Sequence, residues 1–328
     1  MEEKGSFKIT DEQKKQIKKY VGQAKKEYDS KSPKEKRKMI KTAIPAVIII
    51  IIGLAVWYFS GGLGGLAPSD MEKLSVHYID VGQGDSIYIT SDGEGMLIDC
   101  GESRDSERVI SYLDGMGITK IDYVVGTHPH SDHMGGMSKI VEHFDIGEMI
   151  VPHIDDSDTP TTKYYEKFLT ACAEKGLSLT EAELGRKIEI GDAELEIIAP
   201  NSEDYSNVNN YSVSFVMYHG ENSFIFTGDA EKLAEEEMID GGKLADIDVY
   251  KTGHHGSDTS SSEKFLEIIK PDYAVISCGE GNSYGHPCDI TIENLSKYTD
   301  KIYRTDLCGT VVIESDGKEL SVTEEKNQ

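Results

Sequence analysis

Three histidines and an aspartate fall within six positions of one short segment, GTHPHSDHMGG, residues 126–136. The whole chain has only 10 histidines, so the concentration of three of them in one segment indicates a chemical role. His128 and His130, two positions apart in an extended loop, can point their imidazoles at one cation, and Asp132 with His133 can reach a second. Neutral imidazole with carboxylate suits Zn²⁺, and also Mn²⁺ or iron. A polar surface loop is the alternative, but the spacing fits a metal-binding motif better.

Other candidate side chains follow apolar runs elsewhere in the chain. Asp229 ends FIFTGD and could bridge two cations, although its position before AEKLAEEEM also suits a helix N-cap. His254 and His255 follow the apolar run DVYKTG. Asp99, in MLIDCG, lies at the end of a predicted strand, where a carboxylate can orient a metal-bound imidazole or simply shape a turn. Asp85, in GQGDS, either borders the site or belongs to a turn.

These residues need a scaffold that brings distant strand ends together. From residue 74 onward, strand-like runs alternate with helical stretches and show no repeat period. IDYVVGTH, SFIFTGD and ADIDVYKTG each predict a strand that ends at candidate ligands. We predict helices near residues 104–116, 136–144, 161–175, 230–239 and 262–269. This order predicts an α/β domain in which helices cover the faces of sheets.

The N-terminal part of the chain has a different composition. Residues 1–42 hold 14 basic and 7 acidic side chains, which predicts a solvated cytoplasmic tail, or else a basic arm for nucleic acid or lipid headgroups. Residues 43–60 carry no charge and predict one transmembrane helix. The basic residues before it place the N-terminus in the cytoplasm. Residues 61–73 then form a Gly-rich linker to an extracellular domain over residues 74–328.

The charge balance bears on the substrate. The net charge is −25, and outside the basic tail it reaches −32. Such a domain repels polyanions at long range and lacks the positive track that nucleic-acid enzymes usually carry. Lys251, Lys301 and Arg304 could still supply a local basic strip. The acidic balance equally suits a cationic headgroup, such as that of a choline phosphodiester.

Several segments, taken together, resemble a known family. HPHSDH resembles the HxHxDH signature of the metallo-β-lactamase superfamily. Before it, IDVGQGDSIYI and MLIDCG resemble the opening of the extracellular metallo-hydrolase domain of ComEC-type DNA-uptake proteins. After it, FTGDAE resembles the segment with the metal-bridging aspartate, and KTGHHGSDTSS and YGHP resemble the distal histidine motifs of that branch. The resemblance covers roughly residues 74–320. It implies an αβ/βα four-layer sandwich and a hydrolase with two divalent metal ions, Zn or Mn. Phosphorylcholine esterases of the bacterial surface share the His-His-Gly signature.

The resemblance also implies a role for individual residues. The implied metal ligands are His128, His130, Asp132, His133, Asp229 and His255. Asp229 bridges the two metals, and Asp132 also counts among the implied catalytic residues. His254 then faces the substrate and stabilises an oxyanion or protonates the leaving group, unless the roles of His254 and His255 are reversed. His286, in SYGHP, is a further catalytic residue that contacts the phosphate or binds the second metal.

The pattern departs from the family at one point. Many members place a third histidine on the first metal, between HxHxDH and the bridging aspartate. In that interval the chain has His143, His153 and His219, none in a matching context. We expect these three and His77 to be structural or exposed. Asn209 or Asn210 could approach the first metal or the substrate instead, and the metal could be Mn²⁺ rather than Zn²⁺.

Paired cations suit in-line attack on a phosphodiester. The resemblance therefore implies a membrane-anchored extracellular phosphodiesterase, and it favours a nuclease that acts on single-stranded DNA. A single predicted transmembrane helix cannot form a channel, so this chain would not transport DNA alone. The alternatives are a phosphorylcholine-esterase-like activity, a lactamase-type amidase and a catalytically silent binding module. No protein partner can be inferred.

Overall fold

The computed structural model describes residues 72–154 and 159–327. The predicted tail at 1–42, the predicted membrane span at 43–60 and all but the end of the predicted linker at 61–73 lie outside the described residues. These assignments therefore remain predictions. Within the described ranges, every helix is too short or too polar to cross a lipid bilayer.

The strands are short and are numbered here in chain order. The first eight are β1 (Leu74–Tyr78), β2 (Ile87–Ser91), β3 (Glu94–Ile98), β4 (Lys120–Val125), β5 (Asp145–Val151), β6 (Leu179–Glu181), β7 (Lys187–Ile190) and β8 (Ala193–Ala199). The next seven are β9 (Ser214–His219), β10 (Asn222–Phe226), β11 (Val249–Lys251), β12 (Tyr273–Ile276), β13 (Ile302–Arg304), β14 (Val311–Ser315) and β15 (Leu320–Glu324).

These strands form two sheets of mixed direction. The strand order is β15-β14-β1-β2-β3-β4-β5-β6 in the first sheet and β13-β12-β11-β10-β9-β8-β7 in the second. Strands β3 to β6 run parallel, as do β10 to β13, and the remaining neighbours are antiparallel. Because parallel strands end at the same edge, the loops after β3 and β4 lie together, as do the loops after β10, β11 and β12.

The helices follow the parallel strands. They are α1 (Ser106–Gly115), α2 (Ser131–Met134), α3 (Met137–His143), α4 (Lys163–Lys175), α5 (Lys232–Asp240), α6 (Glu263–Ile269), α7 (Asp289–Leu295) and α8 (Thr305–Cys308). Single 3₁₀ turns cover Val208–Tyr211, Gly253–Gly256 and Glu325–Asn327. All five predicted helices are present, with ends within three residues of the predicted ones.

Three clusters of buried apolar side chains define the layers. The central cluster joins the inner faces of the two sheets and includes Phe226. Its neighbour Ile225 points the other way, toward Phe265 and the helices α5, α6 and α7. On the opposite side of the molecule, Leu97 of the first sheet packs in a cluster with Phe168, under α1, α3 and α4. The alternation along each strand therefore builds the layer order helix, sheet, sheet, helix, which agrees with the predicted α/β sandwich.

Candidate metal centre

The histidine-rich segment forms the loop that leaves β4 and enters α2. His128 and His133 are fully buried, whereas His130 is exposed. The Nε2 atom of His128 lies 3.0 Å from Nδ1 of His130, so both rings present a nitrogen to one position. His130 adopts an extended backbone conformation just before α2, which turns the chain and brings Asp132 and His133 beside that position.

Asp229, in the loop after β10, connects this segment to the second sheet. Its carboxylate is buried, with Oδ2 at 3.8 Å from Nε2 of His128 and Oδ1 at 3.2 Å from Nε2 of His133. The same Oδ1 lies 3.5 Å from Nε2 of His255. The alternative that Asp229 caps the following helix is wrong, because α5 begins at Lys232 and Glu231 occupies the N-cap position.

Asp229 belongs to two of the three groups of possible ligands in the described residues, the third being Asp85, Asp99 and His133. His128, His130 and Asp229 offer ligand atoms that all lie within 4.8 Å of one another. A second group with the same spacing contains Asp132, His133, Asp229 and His255. Asp229 belongs to both groups, as expected of a carboxylate that bridges two cations.

The hydrogen bonds around the second group fit a bound cation. Nδ1 of His133 donates to the Asp99 carboxylate at 2.7 Å, and Nδ1 of His255 donates to the Ser277 carbonyl at 3.0 Å. A neutral imidazole that donates through Nδ1 carries a lone pair on Nε2. The two Nε2 atoms face each other at 3.2 Å beside Oδ1 of Asp229, which has no hydrogen-bond partner within the described residues. Two lone pairs and a buried carboxylate oxygen therefore converge, which is the donor set of a metal ion.

The charge distribution also favours a cation at this position. Burial opposes charge on both imidazoles, but nearby carboxylates outweigh it and raise each pKa well above the usual value. For His133 these carboxylates are Asp229 and Asp99, and for His255 they are Asp229, Asp85 and Asp132. Burial likewise disfavours the charged form of Asp229, yet the two imidazoles hold the pKa of its carboxyl well below the usual value. The second group thus stabilises positive charge strongly.

The first group contains fewer ligands. Burial lowers the pKa of His128 well below its usual value, so its imidazole is neutral and free to bind a metal. The remaining histidines of the interval lie elsewhere: His143 contacts Asp114, His153 contacts Glu181, and His219 contacts Ser315. Within the described ranges, no third histidine joins His128 and His130.

Comparison with known proteins identifies the family. Residues 79–280 match the Metallo-beta-lactamase superfamily. The chain belongs to the metallo-β-lactamase superfamily. Among solved structures, the metallo-β-lactamase fold protein YhfI from Bacillus subtilis covers 74% of this chain and 100% of its own, with a TM-score of 0.51 at 12% identity. That likeness shows a shared fold.

Three similar curated proteins bear the names of competence or recombination proteins. ComE operon protein 3 of Bacillus subtilis (strain 168) is 31% identical over 254 residues, which is 72% of this chain and 32% of that protein. Recombination protein 2 of Haemophilus influenzae is 32% identical over 242 residues, or 72% and 28% of the two lengths. Competence protein ComA of Neisseria gonorrhoeae is 28% identical over 284 residues, or 83% and 38%. The resemblance to ComEC-type proteins is thus confirmed, and the chain spans about a third of the length of these relatives.

In this metallo-β-lactamase domain, the segment that contains Asn209 and Asn210 contacts the candidate ligands through Ser212, which sequence analysis did not identify. Oγ of Ser212 lies 3.3 Å from Nδ1 of His128 and accepts a hydrogen bond from the Asp229 amide at 3.0 Å. Asn209 donates to the Glu231 carboxylate, and Asn210 accepts from the Glu231 amide. The two asparagines therefore hold the loop after Asp229, and Ser212 is the residue of this segment that contacts a candidate ligand.

A buried ion pair lies behind His255. Nζ of Lys251 is 2.8 Å from Oδ2 of Asp85, and both side chains are almost completely inaccessible. Oδ1 of Asp85 lies 3.4 Å from Nδ1 of His255, so Asp85 does border the site. The expectation that Lys251 joins a basic surface strip is wrong, because its ammonium is fully buried. Arg304 is likewise engaged, in two hydrogen bonds to the Asp306 carboxylate.

His254 and His286 lie at the open side of the site. The side chain of His254 is 21% exposed, with Nε2 at 3.6 Å from Oδ2 of Asp229 and Nδ1 at 2.9 Å from Oγ1 of Thr259. The ring of His286 lies 5.5 Å from that of His254, between centroids. Neither histidine belongs to the two ligand groups within the described residues, whereas His255 does.

Three residues around the site adopt left-handed backbone conformations that side chains usually avoid. The φ angles are +58° at Asp99, +48° at His254 and +55° at His255. Such conformations cost free energy and are enriched at functional sites. They aim these side chains into the space between the strand ends, a feature that no sequence pattern indicates.

Proposed function

We propose that this chain is a metal-dependent phosphodiesterase that cleaves single-stranded DNA. The observation that carries the proposal is the position of Asp229 in both ligand groups. Paired cations suit in-line displacement at a phosphodiester. The similarity to competence and recombination proteins supports a nucleic-acid substrate.

The residues divide the work as follows. His128, His130 and Asp229 would hold one divalent cation, Zn²⁺ or Mn²⁺, and Asp132, His133, Asp229 and His255 the other. When bound, the cations would supply Lewis-acid activation of water and neutralise charge on the phosphate. Asp99 accepts the Nδ1 proton of His133 and thereby orients the ring so that Nε2 faces the position of the second cation.

His254 is the proposed proton donor to the leaving oxygen. Its Nδ1 atom is held by Thr259, and its Nε2 atom reaches the edge of the Asp229 carboxylate. A proton on Nε2 would therefore sit beside the scissile phosphate and could pass to the leaving oxygen as the P–O bond breaks. His286, next to it, is in position to contact the substrate.

We also propose that residues 43–60 anchor the hydrolase in the cell membrane, with residues 74–328 outside. The charge-free segment and its basic N-terminal flank support this orientation. Protease treatment of intact cells should remove an epitope fused to the C-terminus and spare one fused to the N-terminus. Loss of neither epitope would contradict the orientation.

A second candidate rests on charge. The −32 balance outside the tail favours a cationic substrate, such as a choline phosphodiester. The full chain should therefore be assayed with Mn²⁺ and with Zn²⁺ on single-stranded DNA, a cyclic dinucleotide, glycerophosphocholine and nitrocefin. We expect hydrolysis of DNA, abolished in Asp229→Ala and retained in Asp114→Ala, which alters an exposed aspartate on α1. Turnover of glycerophosphocholine or nitrocefin alone, or of no substrate, would reject the nuclease.

A further inference from the structure

One aromatic side chain near the site is unusually exposed. Tyr284 lies in the loop between β12 and α7 and is 67% exposed, the highest value among the large hydrophobic side chains of the described residues. Tyr218, on β9, is 43% exposed by comparison. An aromatic ring held in water at the rim of a site is often a binding residue.

The loop that carries Tyr284 is held firmly by one side chain. Oδ1 of Asn282 accepts hydrogen bonds from the amides of Tyr284 and His286, each at 3.1 Å. Nδ2 of Asn282 donates to the carbonyls of Gly279 and His286. The end of the loop packs against the site, since a Cβ on Gly256 would lie 2.5 Å from Cβ of Pro287. The position of Tyr284 is therefore set before any ligand binds.

The ring of Tyr284 stacks on one neighbour, while most of the side chain is exposed to solvent. It stacks on His286 with 5.7 Å between centroids and 25° between planes. His286 in turn lies 5.5 Å from His254, which borders Asp229. Because a stacked strand advances about 3.4 Å per nucleotide, these two ring-to-ring steps place Tyr284 within a few nucleotides of the candidate metal centre.

We propose that Tyr284 is a stacking platform for a nucleobase of single-stranded substrate beside the scissile phosphate. This inference rests on the proposed function. The side chains of the strongly acidic domain repel a polyanion, so uncharged contacts beyond the metal centre would add affinity that the protein surface does not supply by charge. Stacking on an aromatic face supplies such affinity for every base. A choline headgroup, in contrast, is typically bound by a cage of several aromatic rings.

The test compares KM with kcat for two forms of one oligonucleotide on the full chain. In the first form all bases are present, and in the second the nucleotides beside the cleavage position lack bases. Tyr284→Leu should raise KM for the first form about tenfold and leave kcat unchanged. Tyr284→Phe should keep the native KM, and Tyr218→Leu serves as the matched exposed control. For the form without bases, all variants should have the same KM.

A binding measurement separates this inference from the proposed function. In Tyr284→Trp, a phosphorothioate oligonucleotide that resists hydrolysis should quench the new tryptophan, and the form without bases should not. Quenching of both forms or of neither would overturn the platform, as would an unchanged KM in Tyr284→Leu. Displacement of the oligonucleotide by choline chloride would also overturn it. If the native chain hydrolyses no DNA, the proposed function fails, while the quenching result still decides whether a base stacks at this position.

Discussion

The Nε2 atoms of His133 and His255 face each other at 3.2 Å, although the two residues follow strands of different sheets. Each ring is turned into this position by the acceptor of its Nδ1 proton, Asp99 for His133 and Ser277 for His255. The surrounding carboxylates raise the pKa of both imidazoles well above the usual value, so positive charge beside the two Nε2 atoms is stabilised. The arrangement is therefore prepared for a metal by its surroundings.

Replacement of Asp99 should weaken metal binding without unfolding the chain. In Asp99→Asn, the amide can keep the left-handed backbone at this position, because asparagine tolerates positive φ. It no longer accepts the His133 proton as a carboxylate does, so the affinity for Zn²⁺ or Mn²⁺ should fall about 10- to 100-fold. Competition with a chromogenic chelator measures this. The matched control is Asp114→Asn at the exposed His143 pair, and equal affinities in both variants would refute the role of Asp99.

Metal content should distinguish the shared carboxylate from an unshared one. Asp132→Asn removes a ligand of the second group only, whereas Asp229→Asn removes one from both. Mass spectrometric metal analysis after dialysis should find about one equivalent lost in the first variant and two in the second. A tightly held equivalent in Asp229→Asn would contradict a bridging position.

The role of His254 should depend on the leaving group. If it protonates the leaving oxygen, His254→Ala should lower kcat about 10²- to 10⁴-fold for DNA, whose alkoxide leaves poorly. The loss should be much smaller for bis-p-nitrophenyl phosphate, because nitrophenolate needs no proton to leave. Equal losses on the two substrates would assign His254 to phosphate binding instead.

The buried pair of Lys251 and Asp85 should matter for stability. Lys251→Met leaves the Asp85 carboxylate buried without its 2.8 Å partner. Removal of one member of a buried ion pair typically costs about 3–5 kcal/mol. Urea unfolding of the full chain measures this cost, and Lys251→Met combined with Asp85→Asn should recover much of it. If the double variant is no more stable than Lys251→Met, the uncompensated charge is not the cause.

His77 should make the domain sensitive to acid. Burial lowers the pKa of His77 from 6.5 to about 4, against the weaker effect of Glu314. The folded state therefore binds a proton on His77 less readily than the unfolded state does. The contribution of neutral His77 to the free energy of unfolding is fully present above pH 6.5 and is lost as the pH falls toward 4. The urea midpoint of His77→Gln should fall less between pH 7 and pH 4.5 than that of the native chain, whereas that of the exposed His143→Gln should not differ.

The central strands of the two sheets can be predicted from the sequence pattern more readily than the edge strands. The runs that form β4 and β10 each contribute apolar side chains to two buried clusters, one on each face, and both strands were predicted. The strands β6, β7 and β15 were missed, and each lies at an edge of its sheet. Edge strands bury less, so LTE, KIEI and LSVTE carry weak or charged patterns.

The residues of the site were predictable where their type, such as histidine, is a common metal ligand. His128, His130 and His133 could be named from their spacing, and Asp229 from the family resemblance, and the structure places each of the three histidines in a group with Asp229. Ser212 could not, because serine has many structural uses and acts here through a contact with His128. The burial of Lys251 could not be predicted from sequence either, since its partner Asp85 lies far away along the chain.

The two sheets are joined through the candidate centre as well as through their apolar faces. The histidine-rich loop belongs to the first sheet, while Asp229 and His255 belong to the second. A cation bound by both sides acts as a clasp across the sandwich and adds its binding free energy to folding. Depletion of metal from the surroundings would then destabilise the domain as well as abolish its activity. The melting temperature would therefore depend on the concentration of the divalent cation.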